Sequence, residues 1–230
     1  MLGTIVNSLA IMAGTGLGLI LKSGIRENYR ETVVNALALS VLLIGVMGAI
    51  KTQNILLLIF CLVFGSFLGE ALKIEDRLNG LGLWIESRTS STDGSVSKAF
   101  VTASLVFCVG SMAIVGSIES GLTGNHQTLF AKSLLDGVFS IFLSASLGFG
   151  VVFSAAAVFV YQGAITLASS SLKAFLTDEM IREISAIGGV LIMAIGLNLL
   201  QIKKIKVGNM LPAIILPLFY YFFLKVTGRG

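Results

Sequence analysis

Apolar residues run for about 20 positions at a time, from Leu2 to Leu21, Val33 to Ile50, Ile55 to Leu72, Ala99 to Ile118, Ser133 to Ser171, Ile184 to Ile202 and Val207 to Val226. A helix needs about 20 residues to cross roughly 30 Å of hydrocarbon, so each run predicts a spanning helix. Strands of an outer-membrane barrel would alternate polar and apolar residues over about ten positions, and these runs do not. The pattern therefore predicts an all-α, polytopic transmembrane helical bundle. Ser133 to Ser171 is too long for one crossing, because at 1.5 Å per residue it would make a straight helix of about 58 Å. It turns back near Leu147-Gly148-Phe149-Gly150, for eight spans, or starts as a re-entrant half-helix, for seven.

Composition agrees with a lipid solvent. The chain is 55% hydrophobic and 12% charged, with a mean hydropathy of +0.95, whereas soluble domains carry about 25% charge. One integral membrane domain, 1–230, is expected, with three spans in 1–72, a polar excursion in 73–98 and the remaining spans in 99–230. In the excursion Ile74, Leu78, Leu81, Trp84 and Ile85 fall at helical spacing, as in an interfacial amphipathic helix with its indole at headgroup depth. Basic residues set orientation. None precedes the first run, Lys22, Arg26 and Arg30 follow it, and Lys73, Arg77, Arg88 and Lys98 follow the third. This places the amino terminus outside the cytoplasmic membrane. Beyond Lys98 the charges nearly balance: Lys173 and Arg182, then Lys203, Lys204 and Lys206, then Lys225 and Arg229. A first run with no preceding basic residues is unlike a cleaved signal peptide and is read as a permanent span.

Two internal similarities suggest a repeat. "SLAIMAGTGLG" from Ser8 can be laid on "SIFLSASLGFG" from Ser140, and "RETVVNALALSVLLIG" from Arg30 on "REISAIGGVLIMAIG" from Arg182. They require different offsets, 132 and 152, so one extra helix would separate them. Repeats of this kind are common in transporters, whose sites lie between the repeats near the midplane.

Polar residues concentrate between Cys108 and Ser140. Gly110-Ser111 and Gly116-Ser117 recur six residues apart, followed by Glu119, Ser120, His126, Lys132, Asp136 and Ser140. Irregular backbone at membrane depth is tolerated only against protein or a watery cavity, as in the broken helices of carriers. A charge inside a span costs about 2.5 to 3.5 kcal/mol and marks ion or substrate routes. Asp136 and Glu119 are thus candidate ion or substrate ligands, with Ser111, Ser117, Ser140, Asn7 and Gln162 as further candidates. The structural alternative is that both acids lie at loop ends, where Asp136 caps a helix starting near Ser133. Lys132 snorkels or pairs with Asp136 four positions on, and His126 reads as an ordinary loop residue. Amides such as Asn7, Asn35, Gln162 and Asn198 most often hydrogen-bond a neighbouring helix. Glu70, closing the third run beside Lys73, reads as interfacial. Gly14 with Gly18, and Gly65 with Gly69, permit close helix contact, either inside the bundle or in a homo-oligomer. Pro212 and Pro217 predict a kinked last span.

Several function classes lack their residues. There is no GxxxxGK[ST], HExxH, GxSxG or paired-cysteine metal motif. Cys61 and Cys108 lie in separate spans and imply no disulfide framework. An enzyme is not expected, nor a cofactor or metal, and no basic-aromatic surface suggests nucleic acid. Expected partners are the lipid bilayer and a small ion or solute.

"GTIVN" with a glycine-rich first run, "SFLGE" followed by "IEDRLNGLG", and "GSIESGLTGN…LFAKSLLDGVFS…SLGFGV" together resemble the YdfK/YqgA-like bacterial inner-membrane proteins, a family whose domain has no assigned function. The resemblance covers essentially the whole chain and implies a one-domain, multi-pass protein of the cytoplasmic membrane. The leading expectation from the residues is a small secondary transporter or channel for an ion or small polar solute. The alternative is a non-transporting scaffold or assembly subunit that holds a partner protein.

Overall fold

A computed structural model describes residues 1–22, 27–78, 80, 95–108, 110–171 and 176–226. Helices α1 (Leu2–Lys22), α2 (Glu27–Ala49) and α3 (Ile55–Ala71) are followed by α4 (Ser95–Cys108), α5 (Ser111–Thr123) and α6 (Gln127–Leu147). A 3-10 segment (Phe149–Phe153) leads into α7 (Ser154–Leu167). Then come α8 (Asp178–Leu199), a second 3-10 segment (Val207–Ile214) and α9 (Leu216–Val226). Positions 74–78 are helical, but most of the expected amphipathic helix, Trp84 included, lies outside the described residues.

Local chemistry sets these boundaries. Asn54 caps α3 by accepting from the Leu57 amide at 3.0 Å, and Thr177 caps α8 with Asp178 and Glu179 in its first turn, where acids complement the helix dipole. Gly148 ends α6 at φ +92°, a conformation that favours glycine. The long apolar stretch thus divides at the expected place, but α6 begins at Gln127, one and a half turns before Ser133. Gly110, at φ +149°, separates α4 from α5, and the two helices meet at a 60° bend. The broken helix is therefore this pair, at the Gly-Ser position the sequence marked. Pro212 lies in the 3-10 segment and Pro217 starts α9 after a break at Ile215, which realises the kinked last element.

Among the described residues five helices are long and apolar enough to cross a membrane, or up to six if the bent pair forms one span. That is fewer than the seven or eight expected. The physical reason is length: the apolar parts of α2 and α3, Val34–Ala49 and Ile55–Ala71, are shorter, and polar termini use up part of the runs. Their outer faces still carry Leu43, Leu56, Val63 and Phe67, all more than half exposed, as lipid-facing side chains would be.

The packing of the helices revises the repeat. Adding 152 to the first residues of α1, α2 and α3 gives Ser154, Glu179 and Val207, within one residue of the starts of α7, α8 and the second 3-10 segment. One offset therefore serves all three elements, and the alignment at 132 is not needed. Each element also packs on its counterpart: α1 on α7, α2 on α8, α3 on the second 3-10 segment. The contacts run antiparallel, with Gly45 beside Met193 and Gly48 beside Ser185, then Gly65 beside Ala213 and Gly69 beside Asn209. In sequence, Glu27, Arg30 and Glu31 recur as Glu179, Arg182 and Glu183. Helices α4 to α6 stand between the two triplets.

The glycine faces are used inside the chain. Methyl groups at Gly14 and Gly18 would overlap the carbonyls of Gly137 and Ile141 on α6, and at Gly65 and Gly69 would strike Ala213 and Asn209. Small residues let helix backbones approach where lipid offers no hydrophobic gain from association.

Candidate functional site

The middle of α6 carries the charge the sequence singled out. Asp136 and Lys132 are one turn apart and both more than nine-tenths buried. The Lys132 ammonium donates to Oδ1 and Oδ2 of Asp136 at 2.8 and 2.7 Å. Asn7, from the parallel face of α1, donates from Nδ2 to Oδ2 at 3.0 Å. Because α6 starts at Gln127, with His126 before it, Asp136 is mid-helix and is no cap. Ser133, also expected near a helix start, instead donates to Leu129 O. A buried ion pair stands only where its geometry and hydrogen bonds offset desolvation, and three donors provide that here.

The helices of this part of the bundle carry further buried polar side chains. Thr4, Ser8 and Thr15 on α1, Ser117 on α5, and Thr166 on α7 are buried, and their hydroxyls have no hydrogen-bond partner among the described residues. The same is true of Asn7 Oδ1 and of both amide atoms of fully buried Gln162. Helix α5 packs on both α6 and α7, and all three pack on α1. Cys108, at the end of α4 beside the break, is within electrostatic reach of Lys132 and Asp136, and Tyr161 is within reach of Cys108. The broken helix therefore borders the ion pair at Cys108. Polar atoms left unpaired in an apolar interior cost about 1 to 3 kcal/mol each, and a concentration of them is unusual in a bundle built for packing alone.

The other candidates are placed as follows. Ser140 is fully buried and donates to Asp136 O at 2.7 Å, so it lies one turn beyond the pair with its hydroxyl committed to the backbone. Glu119 is remote from the pair in hydrogen bonding: it accepts from Asn125 Nδ2 at 2.7 Å and Thr128 Oγ1 at 2.8 Å. Those bonds tie the end of α5 to the start of α6. The side chain of Ser111 lies outside the described residues. His126 shares a hydrogen bond of 2.8 Å with Ser120 and approaches Phe130, as a loop residue would. Asn198 does not bridge helices; its amide clasps both backbone groups of Ile205, and Asn35 is exposed. Glu70 pairs with Lys206 at 2.8 Å and accepts from Asn209, with no ion pair to Lys73, which adopts φ +51° at the helix end. No group of three or more potential metal-ligating side chains occurs among the described residues.

Sequence reasoning missed a second buried acid. Glu183 on α8 is 1% exposed and accepts from Thr52 Oγ1 and from the Gln53 amide, so it fastens the α2–α3 turn to α8. Its place in the first turns of a helix, after Asp178 and Glu179, makes it look like a solvated dipole-complementing acid. The available signal was the recurring Glu-x-x-Arg-Glu, which sets Glu183 opposite Glu31 in the repeat.

Residues 2–222 match the sequence profile of a family described as "Protein of unknown function (DUF554)". The chain is 33% identical to "Uncharacterized membrane protein YdfK" of Bacillus subtilis (strain 168), over 99% of each chain. It is 29% identical to "Uncharacterized protein YqgA" of Escherichia coli (strain K12), over 94% of each. No solved structure matches.

Proposed function

The chain belongs to the DUF554 family of membrane proteins of unknown function, and from its interior we propose that it is a secondary transporter for a small polar solute, coupled to a cation or proton at Asp136. One observation carries the reading: a mid-helix Lys132–Asp136 pair is closed by Asn7, whose Oδ1 has no partner among the described residues, in a part of the bundle that buries further amide and hydroxyl groups without partners among those residues. Gln162 offers both a donor and an acceptor, and Ser117 and Thr166 add hydroxyls, a set suited to a neutral or zwitterionic hydrogen-bonding solute. A proton or cation arriving at Asp136 neutralises the partner of Lys132. The buried ammonium must then find another acceptor, which makes the pair a two-state element sensitive to what occupies the site.

The antiparallel packing of counterparts supports an inverted repeat, the design in which carriers place a site between repeats and alternate its access. Each state of such a molecule mirrors the other. Glu183 holds positions 52–53 in this state, and the mirror positions are Glu31 with Lys204 and Ile205. Glu31 is exposed here, so the alternate state closes Glu31 onto that loop and releases Glu183. The same packing agrees with the orientation expected from the basic residues. The Glu70–Lys206 pair puts Lys203, Lys204 and Lys206 at the end of the bundle that carries Lys73 and Arg77. The positive-inside bias favours that end as the cytoplasmic one, which supports a multi-pass inner-membrane protein with the start of α1 outside.

The test is flux into liposomes containing the purified chain, across a panel of neutral and zwitterionic solutes with and without a pH or sodium gradient. Gradient-dependent uptake is expected, and Asp136→Asn should abolish it. Uptake that survives Asp136→Asn removes Asp136 from the mechanism. If no solute moves, and alanine at Asn7, Ser117 and Gln162 has no effect on cell growth or on a co-purifying partner, the scaffold reading takes its place.

A further inference from the structure

A cavity of about 490 Å³ lies away from the ion pair, between α4, the end of α8 and the loop after it. Its floor is apolar, with Val101, Leu105, Ile195 and Leu199, and its rim carries Lys98, Lys203 and Lys204. All three lysines are exposed and none has an ion-pair partner among the described residues. The neighbouring Lys206 differs: it is paired with Glu70. The one acid lining the cavity among the described residues, Glu75, is committed through Oε2 to the Gly208 amide at 2.6 Å.

Two features make this more than a basic surface. Ser97 lines the cavity, is 5% exposed, and its hydroxyl has no partner among the described residues. It sits in the first turn of the 14-residue helix α4, where amides and the helix dipole favour an anion. The loop bearing Lys203 and Lys204 is also pre-shaped. Gln201 turns it at φ +59°, and Asn198 both donates to Ile205 O at 2.8 Å and accepts from the Ile205 amide at 2.7 Å.

We propose that this cavity is a binding site for a phosphate-bearing anion, with Lys98, Lys203 and Lys204 balancing its charge and the buried Ser97 hydroxyl donating to a phosphate oxygen. The phosphate arrives either as an anionic phospholipid headgroup, whose glycerol and upper acyl carbons suit the apolar floor, or as a free phosphate compound. Basic pockets between spans are well suited to anionic headgroups.

The experiment uses the purified full chain in neutral detergent and reads lipid retention by native mass spectrometry and ligand-induced thermal shift. The probes are phosphatidylglycerol, phosphatidylcholine and inorganic phosphate. Phosphatidylglycerol should be retained over phosphatidylcholine, and binding should weaken as salt is raised. Each charge removed in Lys203→Gln and Lys204→Gln should weaken it roughly fivefold, with Ser97→Ala weakening it further. These lysines are exposed, so the unliganded thermal midpoint of the variants should be unchanged. Displacement of the lipid by millimolar inorganic phosphate supports a soluble source, and retention without displacement supports a lipid source. Equal retention of both lipids, or unchanged binding in the double lysine variant, overturns the proposal. The double variant Lys132→Met with Asp136→Asn, which removes the pair whole, should leave this binding intact, which separates its failure from that of the transport reading.

Discussion

Asp136 and Glu183 are both buried carboxylates on long helices, yet the bundle answers them differently. Asp136 faces a cation on its own helix, with an amide from α1 as third donor. Glu183 has no bonded cation among the described residues and is held by a hydroxyl and an amide from one turn. The first arrangement is a charge pair whose two members depend on each other and stand next to unpaired polar groups. The second is a clasp between two elements at one end of the bundle. Burial alone thus does not separate the two acids; what distinguishes Asp136 is its buried cation and the unpaired Oδ1 of Asn7 beside it.

The largest effect is expected from splitting the pair. Lys132→Met leaves a buried carboxylate without its cation and should destabilise the protein by about 3 to 5 kcal/mol, read as a loss of folded, monodisperse protein in detergent. Combining it with Asp136→Asn should recover most of that stability while transport stays absent. A double variant as unstable as Lys132→Met would show that the pair is not the unit the geometry describes. Next comes the clasp. Glu183→Ala removes the acceptor of two hydrogen bonds and should cost about 2 kcal/mol, seen in the thermal midpoint, with Glu183→Gln losing less because its amide oxygen still accepts. Loss of all folded protein in Glu183→Gln would mean that charge, and not hydrogen bonding, holds the turn. The smallest effect belongs to the solvent-exposed Glu70–Lys206 pair. Glu70→Gln should leave the midpoint almost unmoved and insensitive to added salt, since exposed pairs contribute little and are screened.

Much of the architecture was legible because lipid imposes a simple rule. Continuous apolar runs, the Gly148 turn, the Gly110 break and the proline kink followed from backbone hydrogen bonding and φ restrictions, which act locally. The span count was less legible, because run length counts apolar residues whether they end up in helix, cap or turn. Among the candidate side chains, the sequence singled out Asp136, Asn7 and Gln162 by their polarity within apolar runs, and the structure buries all three. It could not tell that Glu119 would bind the loop of Asn125 and Thr128 while Asp136 lay mid-helix, since both acids flank the same polar stretch.

The sequence by itself determined the solvent, the helices and the places where their backbones must bend, because each depends on neighbours a few residues away. Only the tertiary structure decided that Asn7 meets Asp136 across 129 positions, that Glu183 is buried under a turn, and that one offset of 152 relates three pairs of packed elements. Those outcomes depend on which small-residue faces dock together, a choice made by shape complementarity between distant helices and absent from any local pattern.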